Sequence, residues 1–205
     1  MMKAVIFDIG AVLIRFEWRD FLHRLFGEKT GDAVYDATWG TEAWRQLDSD
    51  ALPRDEILRL FTGNAPEYAA EITEAMRRVD ECAEKQPYAI PWVDELKQMG
   101  LQVYYLSNYF PYLLWKKPQV LDFIPHMDGG VFSWQEKITK PDPEIFRRLL
   151  NRYGLAAEEC VFVDDSPVNT AAAAALGMQT FQFVSYEEQH PEIMRFLSEH
   201  TKEIS

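Results

Sequence analysis

The sequence predicts an α/β fold: a parallel sheet between two layers of helices, with a helical segment inserted after the first strand. Three observations point there. The chain opens on a short, nearly all-apolar run, Lys3-Ala4-Val5-Ile6-Phe7, that ends in Asp8, as a strand covered on both faces should read. From Pro87 onward, apolar runs of strand length alternate with helical patterns closed by glycine, the signature of βα units. Between the two, residues 16–86 are rich in helix formers and charges and carry no convincing strand.

The elements follow in order. The first strand covers 3–7. In the insertion, Phe21 and Leu25, then Ile57, Leu60 and Phe61, recur at helical spacing. Gly27, Gly31, Gly40, Pro53, Gly63 and Pro66 cut it into short helices. A helix over 92–99 stops at Gly100, and a strand over 102–106 follows. Asp128-Gly129-Gly130 turns the chain into a strand at 131–133. Asp142 and Pro143 supply the cap and first turn of a helix that ends at Gly154. A strand at 161–163 leads to a second such pair, Ser166-Pro167, and to an alanine-rich helix over 168–176 that stops at Gly177. Its alanines 171–175 read as a tightly packed face. A last strand at 179–183 and a helix from Tyr186, fraying near Ser205, complete the chain. The expected architecture is a three-layer, Rossmann-like parallel sheet core, 1–15 and 87–205, with a helical cap at 16–86.

The 205 residues, 47% of them apolar, suffice for one core with a substantial insertion. A formal net charge of −12 argues against nucleic acid or an anionic membrane as partner. It also means that an anionic substrate needs local positive charge, from a metal or from placed Lys and Arg. Cys82 and Cys160 lack CxxC spacing and give no disulfide framework. His23, His126, His190 and His200 have no ligand spacing, so no zinc site is expected. Trp115-Lys116-Lys117 reads as a solvated basic loop. No apolar run approaches the ~18 residues of a membrane span, and the start leads directly into a strand without room for a signal peptide. A cytoplasmic location is therefore expected. Oligomeric state is not legible.

Open α/β sheets bind ligands at the carboxyl ends of their strands. Three such ends carry Asp8, Ser107-Asn108 and Asp164-Asp165, with Lys140 at a loop-to-helix junction between them. The set suits phosphoryl or acyl substitution. Asp8 is a candidate nucleophile that forms a covalent aspartyl intermediate. A carboxylate attacking a dianionic phosphate meets like-charge repulsion, which Mg²⁺ removes while held by one or two carboxylates, waters and phosphate oxygens. Asp8 and Asp165 are the candidate metal ligands, with Gly10 offering its carbonyl. Lys140 adds charge beside Asp8 and the phosphate, and Ser107 with nearby N–H groups holds phosphate oxygens.

Phe7-Asp8-Ile9-Gly10-Ala11-Val12-Leu13, Leu106-Ser107-Asn108, the lysine of Thr139-Lys140-Pro141-Asp142-Pro143, and Val161-Phe162-Val163-Asp164-Asp165-Ser166 stand in the order and spacing of four motifs. In them the chain resembles the haloacid dehalogenase-like hydrolases that carry a helical cap after the first motif. The resemblance implies a Mg²⁺-dependent phosphatase of small phosphorylated metabolites working through an aspartyl-phosphate. Asp8 would be the nucleophile, Ser107 the phosphate binder and Lys140 the charge-stabilising lysine. Asp165 would be the metal ligand, Asp164 would assist through metal-bound water, and Asn108 would orient the phosphate or its loop.

One position departs. The family's first motif is Asp-x-Asp, and its second Asp is the general acid and base; here that position is Gly10. General acid–base catalysis contributes ~10²–10⁴-fold, against an acceleration of up to ~10²¹-fold for phosphate monoesters. Its loss slows such an enzyme without abolishing the chemistry, least for a good leaving group such as an anomeric hydroxyl. Glycine here is similar to bacterial glucose-1-phosphate phosphatases, which implies sugar 1-phosphates, with a cap residue or water replacing the acid. Trp39, Trp44 and Arg45 in the insertion would line a sugar pocket by stacking and hydrogen bonding, or form the core of the cap; both readings stand. Two further functions compete. A metal-independent 2-haloacid dehalogenase tolerates Gly10, but the acidic pair Asp164-Asp165 would be a liability beside Asp8. A non-catalytic binding protein of the same fold has Gly10 as its sole support.

Overall fold

The computed structural model is described over residues 1–201. Its strands are β1 (Ala4–Phe7), β2 (Ile14–Phe16), β3 (Ala83–Lys85), β4 (Gln102–Ser107), β5 (Gly129–Phe132), β6 (Cys160–Asp164) and β7 (Gln179–Gln182). The insertion carries α1 (Trp18–Phe26), α2 (Glu28–Thr38), α3 (Glu42–Asp48), α4 (Arg54–Asn64) and α5 (Ala69–Arg77). The remainder carries α6 (Ala89–Gln98), α7 (Pro111–Lys116), α8 (Ser133–Glu136), α9 (Pro143–Tyr153), α10 (Pro167–Ala174) and α11 (Tyr186–His200).

Five strands form a parallel sheet in the order β5-β4-β1-β6-β7. The chain first builds outward from β1 through β4 to β5, then crosses to β6 and β7 on the other side. The order therefore reverses at β1, where the diverging connections leave a crevice at the strand ends. Phe7 pairs with Tyr105 on one side and Val163 on the other, so Asp8 emerges at the middle of the sheet.

Side-chain alternation builds the three layers. Val5, Phe7, Val103, Val161 and Val163 face Trp92, Val93 and Leu96 of α6 and Ile193 and Leu197 of α11. Ala4, Ile6, Tyr104, Leu106 and Phe162 face Ile145, Phe146 and Leu149 of α9 and Ala173 of α10. Burial on both faces explains why β1 reads as a continuous apolar run. Apolar residues of the insertion, among them Trp18, Phe21, Ile57, Phe61 and Ile72, extend the first of these clusters.

Several expectations are corrected. The insertion is framed by strands: β2 and β3 pair antiparallel, Ile14 with Lys85 and Phe16 with Ala83. Three residues are too few to display a period of two. Ser133 belongs to α8 rather than to the preceding strand. Asp142 caps α9 by accepting from the Glu144 N–H, and Gly154 ends it at φ 63°. Ser166, by contrast, makes no side-chain cap to α10; Asp164 Oδ1 accepts the Ser166 N–H instead. Of the alanines 171–175 only Ala173 is buried, so their abundance follows helix propensity rather than packing. Trp115-Lys116-Lys117 is solvated, with Trp115 76% exposed, but it forms the end of α7 rather than a loop. Lys116 ends α7 and bonds the Arg77 carbonyl and Asp80, and Lys117 bonds the Ala83 carbonyl at 2.7 Å. Cations at the end of α5 suit its dipole.

The expected fraying near Ser205 lies outside the described residues. Among those residues no helix is long and apolar enough to cross a membrane.

Candidate active site

Asp8 leaves the end of β1 with its backbone N–H on Val163 O (2.8 Å) and its Oδ1 accepting the Ile9 N–H (2.7 Å). The same Oδ1 lies 2.9 Å from Lys140 Nζ, which also lies 2.7 Å from Asp164 Oδ2. Lys140 is held from behind. Asn108 at the end of β4 donates from Nδ2 to Lys140 O (3.0 Å) and accepts the Lys140 N–H on Oδ1 (2.8 Å). The Asn108 amide thereby ties the end of β4 to the Lys140 loop, and Asn108 also borders the cavity beside Asp8.

Asp164 is wholly buried and hydrogen-bonded through both oxygens: besides Lys140 it accepts from the Ser166 N–H and from Asn169 Nδ2. Asp165 is exposed beside it. One carboxylate oxygen from each of Asp8, Asp164 and Asp165 falls within a 4.8 Å group. Ser107, at the end of β4, is fully buried, and its Oγ has no hydrogen-bond partner among the described residues.

One ammonium serves these carboxylates. Burial pushes Asp8 up to about 7 against the pull of Lys140, with the charges of Asp164 and Asp165 adding to the rise. Burial works to lower Lys140, but Asp164 and Asp8 outweigh it and the net direction is upward. Asp165 is also raised, by burial and by Asp164. The site is short of positive charge before any anion arrives. The cluster opens into a cavity of ≈ 400 Å³ bordered by Asp8, Gly10, Lys140 and Asp165, with Phe16, Trp39, Trp44, Phe110 and Leu113 on its walls.

The family model for haloacid dehalogenase-like hydrolases matches residues 2–177. The chain belongs to that family. A haloacid dehalogenase-like hydrolase is an enzyme, and curated relatives carry phosphatase names. A sesquiterpene phosphatase of Aspergillus oryzae is 27% identical over 86% of this chain and 87% of its own length. A phosphoserine phosphatase of Thermus thermophilus is 30% identical over 74% of this chain and 64% of its own. Among solved structures, a family enzyme of Bacteroides thetaiotaomicron in complex with magnesium and inorganic phosphate has a TM-score of 0.69 at 20% identity. It covers 92% of this chain and 99% of that one, and it shows the shared fold.

Within this haloacid dehalogenase-like hydrolase, the three insertion residues picked from the sequence separate. Trp39 and Trp44 both border the cavity, their ring centroids 4.8 Å apart. Trp44 is also core, packed on Phe16, Trp18, Phe61 and Phe110. Arg45 points elsewhere: it pairs with Glu42 and borders a separate hollow beside Lys137 and Asp142. Asp48, one turn further along α3, borders the first cavity instead. Sequence reasoning missed Asp48, which borders the same cavity as Asp8 and is 9% exposed. Its signal was an aspartate at the last position of a helix, where a carboxylate opposes the helix dipole.

Proposed function

We propose that the chain is a Mg²⁺-dependent phosphatase of small phosphate monoesters that works through an aspartyl-phosphate on Asp8. The observation that carries this reading is the group of Asp8, Asp164 and Asp165 oxygens within 4.8 Å, served among the described residues by Lys140 alone. A hard divalent cation fits that donor set, because its all-oxygen ligands suit Mg²⁺ and Asp8, Asp164 and Asp165 share the countercharge of one lysine. The phosphatase names of the relatives, and the magnesium and phosphate bound by the B. thetaiotaomicron enzyme, support it.

Asp8, Asp165 and the Gly10 carbonyl would hold the ion, with Asp164 acting through a water. When bound, Mg²⁺ supplies charge neutralisation that keeps Asp8 ionised and screens the phosphate. Asp8 Oδ1 is occupied by the Ile9 N–H and Lys140, which leaves Oδ2 to attack phosphorus. The ester oxygen departs as that bond forms. Water then attacks the phosphorus of the aspartyl-phosphate, releasing inorganic phosphate and restoring Asp8. The unpartnered Ser107 hydroxyl donates to a phosphate oxygen, and Lys140 offsets the charge of another.

The insertion at 16–86 acts as a cap that contacts the organic part of the substrate. Gly10 favours sugar 1-phosphates. The cavity wall favours a different class: Phe16, Trp39, Trp44, Phe110 and Leu113 present aromatic and aliphatic surface, and Arg45 is turned away from it. Esters with an apolar organic part therefore fit best, in keeping with the sesquiterpene phosphatase relative.

A panel of sugar, alkyl and aryl phosphates assayed with Mg²⁺ and with chelator tests the reading. Turnover that needs Mg²⁺ and ranks apolar esters above sugar phosphates is expected. Release of halide from 2-haloacids in chelator would select the dehalogenase, and no turnover at all the binding protein.

A further inference from the structure

We propose that Asp48 is the general acid and base that Gly10 does not provide, reaching the leaving oxygen of the substrate from the insertion side of the cavity. The proposal rests on the phosphatase reading and adds a catalytic residue to it.

Asp48 borders the same cavity as Asp8, Gly10 and Lys140, yet it is outside the group of carboxylates placed to share a cation. It is therefore free for proton work. Among the described residues no hydrogen bond or ion pair reaches its carboxyl; the influences on it are burial and the charges of Asp8 and Lys140. A buried carboxyl without a partner is costly, and packing alone would favour an apolar residue there.

The backbone, unlike the side chain, is firmly tied. Ser133 Oγ donates to Asp48 O at 2.5 Å and accepts the Tyr109 N–H at 3.0 Å. Two residues on, Lys137 Nζ bonds Asp50 O at 2.8 Å and Asp50 Oδ2 at 2.6 Å. Ser133 opens α8 and Lys137 follows it, directly after β5 of the central sheet. This clasp fixes the end of α3 against the sheet that carries Asp8, so Asp48 is positioned rather than waving from a mobile segment. Burial, with the charge of Asp8 added, pushes Asp48 up to about 8, so it holds a proton at neutral pH.

Space does not explain Gly10. A Cβ built there meets nothing within 4 Å, so no close neighbour of the backbone demands glycine at that position. The acid has moved to the insertion.

The proton accounting closes. As Asp8 bonds to phosphorus and the ester bond breaks, the Asp48 carboxylic acid gives its proton to the departing oxygen, which leaves as a neutral alcohol. The Asp48 carboxylate then takes a proton from the water that attacks phosphorus. The Asp8–phosphorus bond breaks, phosphate leaves, and Asp48 is again the acid.

The test compares wild type, Asp48→Asn and Asp48→Ala on an alkyl phosphate and on p-nitrophenyl phosphate, whose leaving group needs no proton. Loss of the acid should lower kcat/KM for the alkyl ester by ~10²–10⁴-fold. The first turnover of p-nitrophenyl phosphate should stay near wild type and appear as a burst, followed by slow turnover because the base for the second step is gone. Gly10→Asp combined with Asp48→Asn should recover alkyl phosphate hydrolysis. Equal losses on both esters without a burst, or no loss on either, would overturn the assignment. A wild type inactive on both esters would instead defeat the phosphatase reading, and the role of Asp48 with it.

Discussion

Lys140 Nζ stands 2.9 Å from Asp8 Oδ1, and both side chains are almost sealed from solvent, at 1% and 11% exposure. With Asp164 on the other side of the ammonium at 2.7 Å, the centre of the site is two buried carboxylates sharing one cation. Breaking such an arrangement from the cationic side leaves uncompensated buried charge.

Lys140→Met should therefore destabilise the chelated protein by ~3–5 kcal/mol, read as a lower urea midpoint. Mg²⁺ should restore part of that loss, because it supplies countercharge to Asp8, while turnover stays at least ~10²-fold down. A variant as stable as wild type in chelator would show that the ion pair is not part of what holds the site.

Stability of the metal-free protein should fall as pH rises. Asp8 and Asp48 titrate near 3.8 when unfolded and are raised to about 7 and about 8 when folded. Below about pH 4 both states carry these protons. Above it the unfolded chain loses them first, so the folded state binds more protons and its advantage declines until pH passes the folded values. In chelator the melting temperature should drop by several °C between about pH 5 and about pH 8. Asp48→Asn should flatten that slope. A melting temperature that rises across this interval would contradict the buried, raised carboxyls.

The two tryptophans should part in their effects. Trp39 is 39% exposed at the cavity edge, whereas Trp44 is 6% exposed and packed among four other aromatic rings besides Trp39. Trp44→Ala should cost ~3–5 kcal/mol of stability and reduce turnover of every ester. Trp39→Ala should leave the melting temperature nearly unchanged and alter the ranking among esters. Kinetics of both variants on one apolar ester and one sugar phosphate decide this; an unchanged ranking in Trp39→Ala would remove Trp39 from substrate contact.

What was legible in the sequence is what strong local signals carry. A strand buried on both faces announces itself as an apolar run, so β1, β4 and β6, and the residues at their ends, were readable. The Asp-Pro start and glycine stop of α9 were readable for the same reason. β2 and β3 were not, because three residues display no period, and their pairing spans the whole insertion. Arg45 was picked and Asp48 missed because the sequence does not say which end of α3 packs against the strand ends; the last residue of the helix borders the cavity, and Arg45, one turn earlier, borders another hollow. The sequence offered Asn108 to the phosphate or to its loop; the bonds of its amide to the Lys140 backbone are long-range contacts that no local pattern announces. The alanines of α10 misled because the same residue serves helix propensity and close packing.

The central claim is covalent chemistry at Asp8, and acid quenching within a single turnover tests it most directly. Mass spectrometry of the quenched protein in Mg²⁺ should find one phosphoryl group, mapped to the peptide that bears Asp8. It should be absent in chelator and absent from Asp8→Asn, which should fold and not turn over. A phosphoryl group mapped to another residue, or steady hydrolysis by purified Asp8→Asn, would contradict the account.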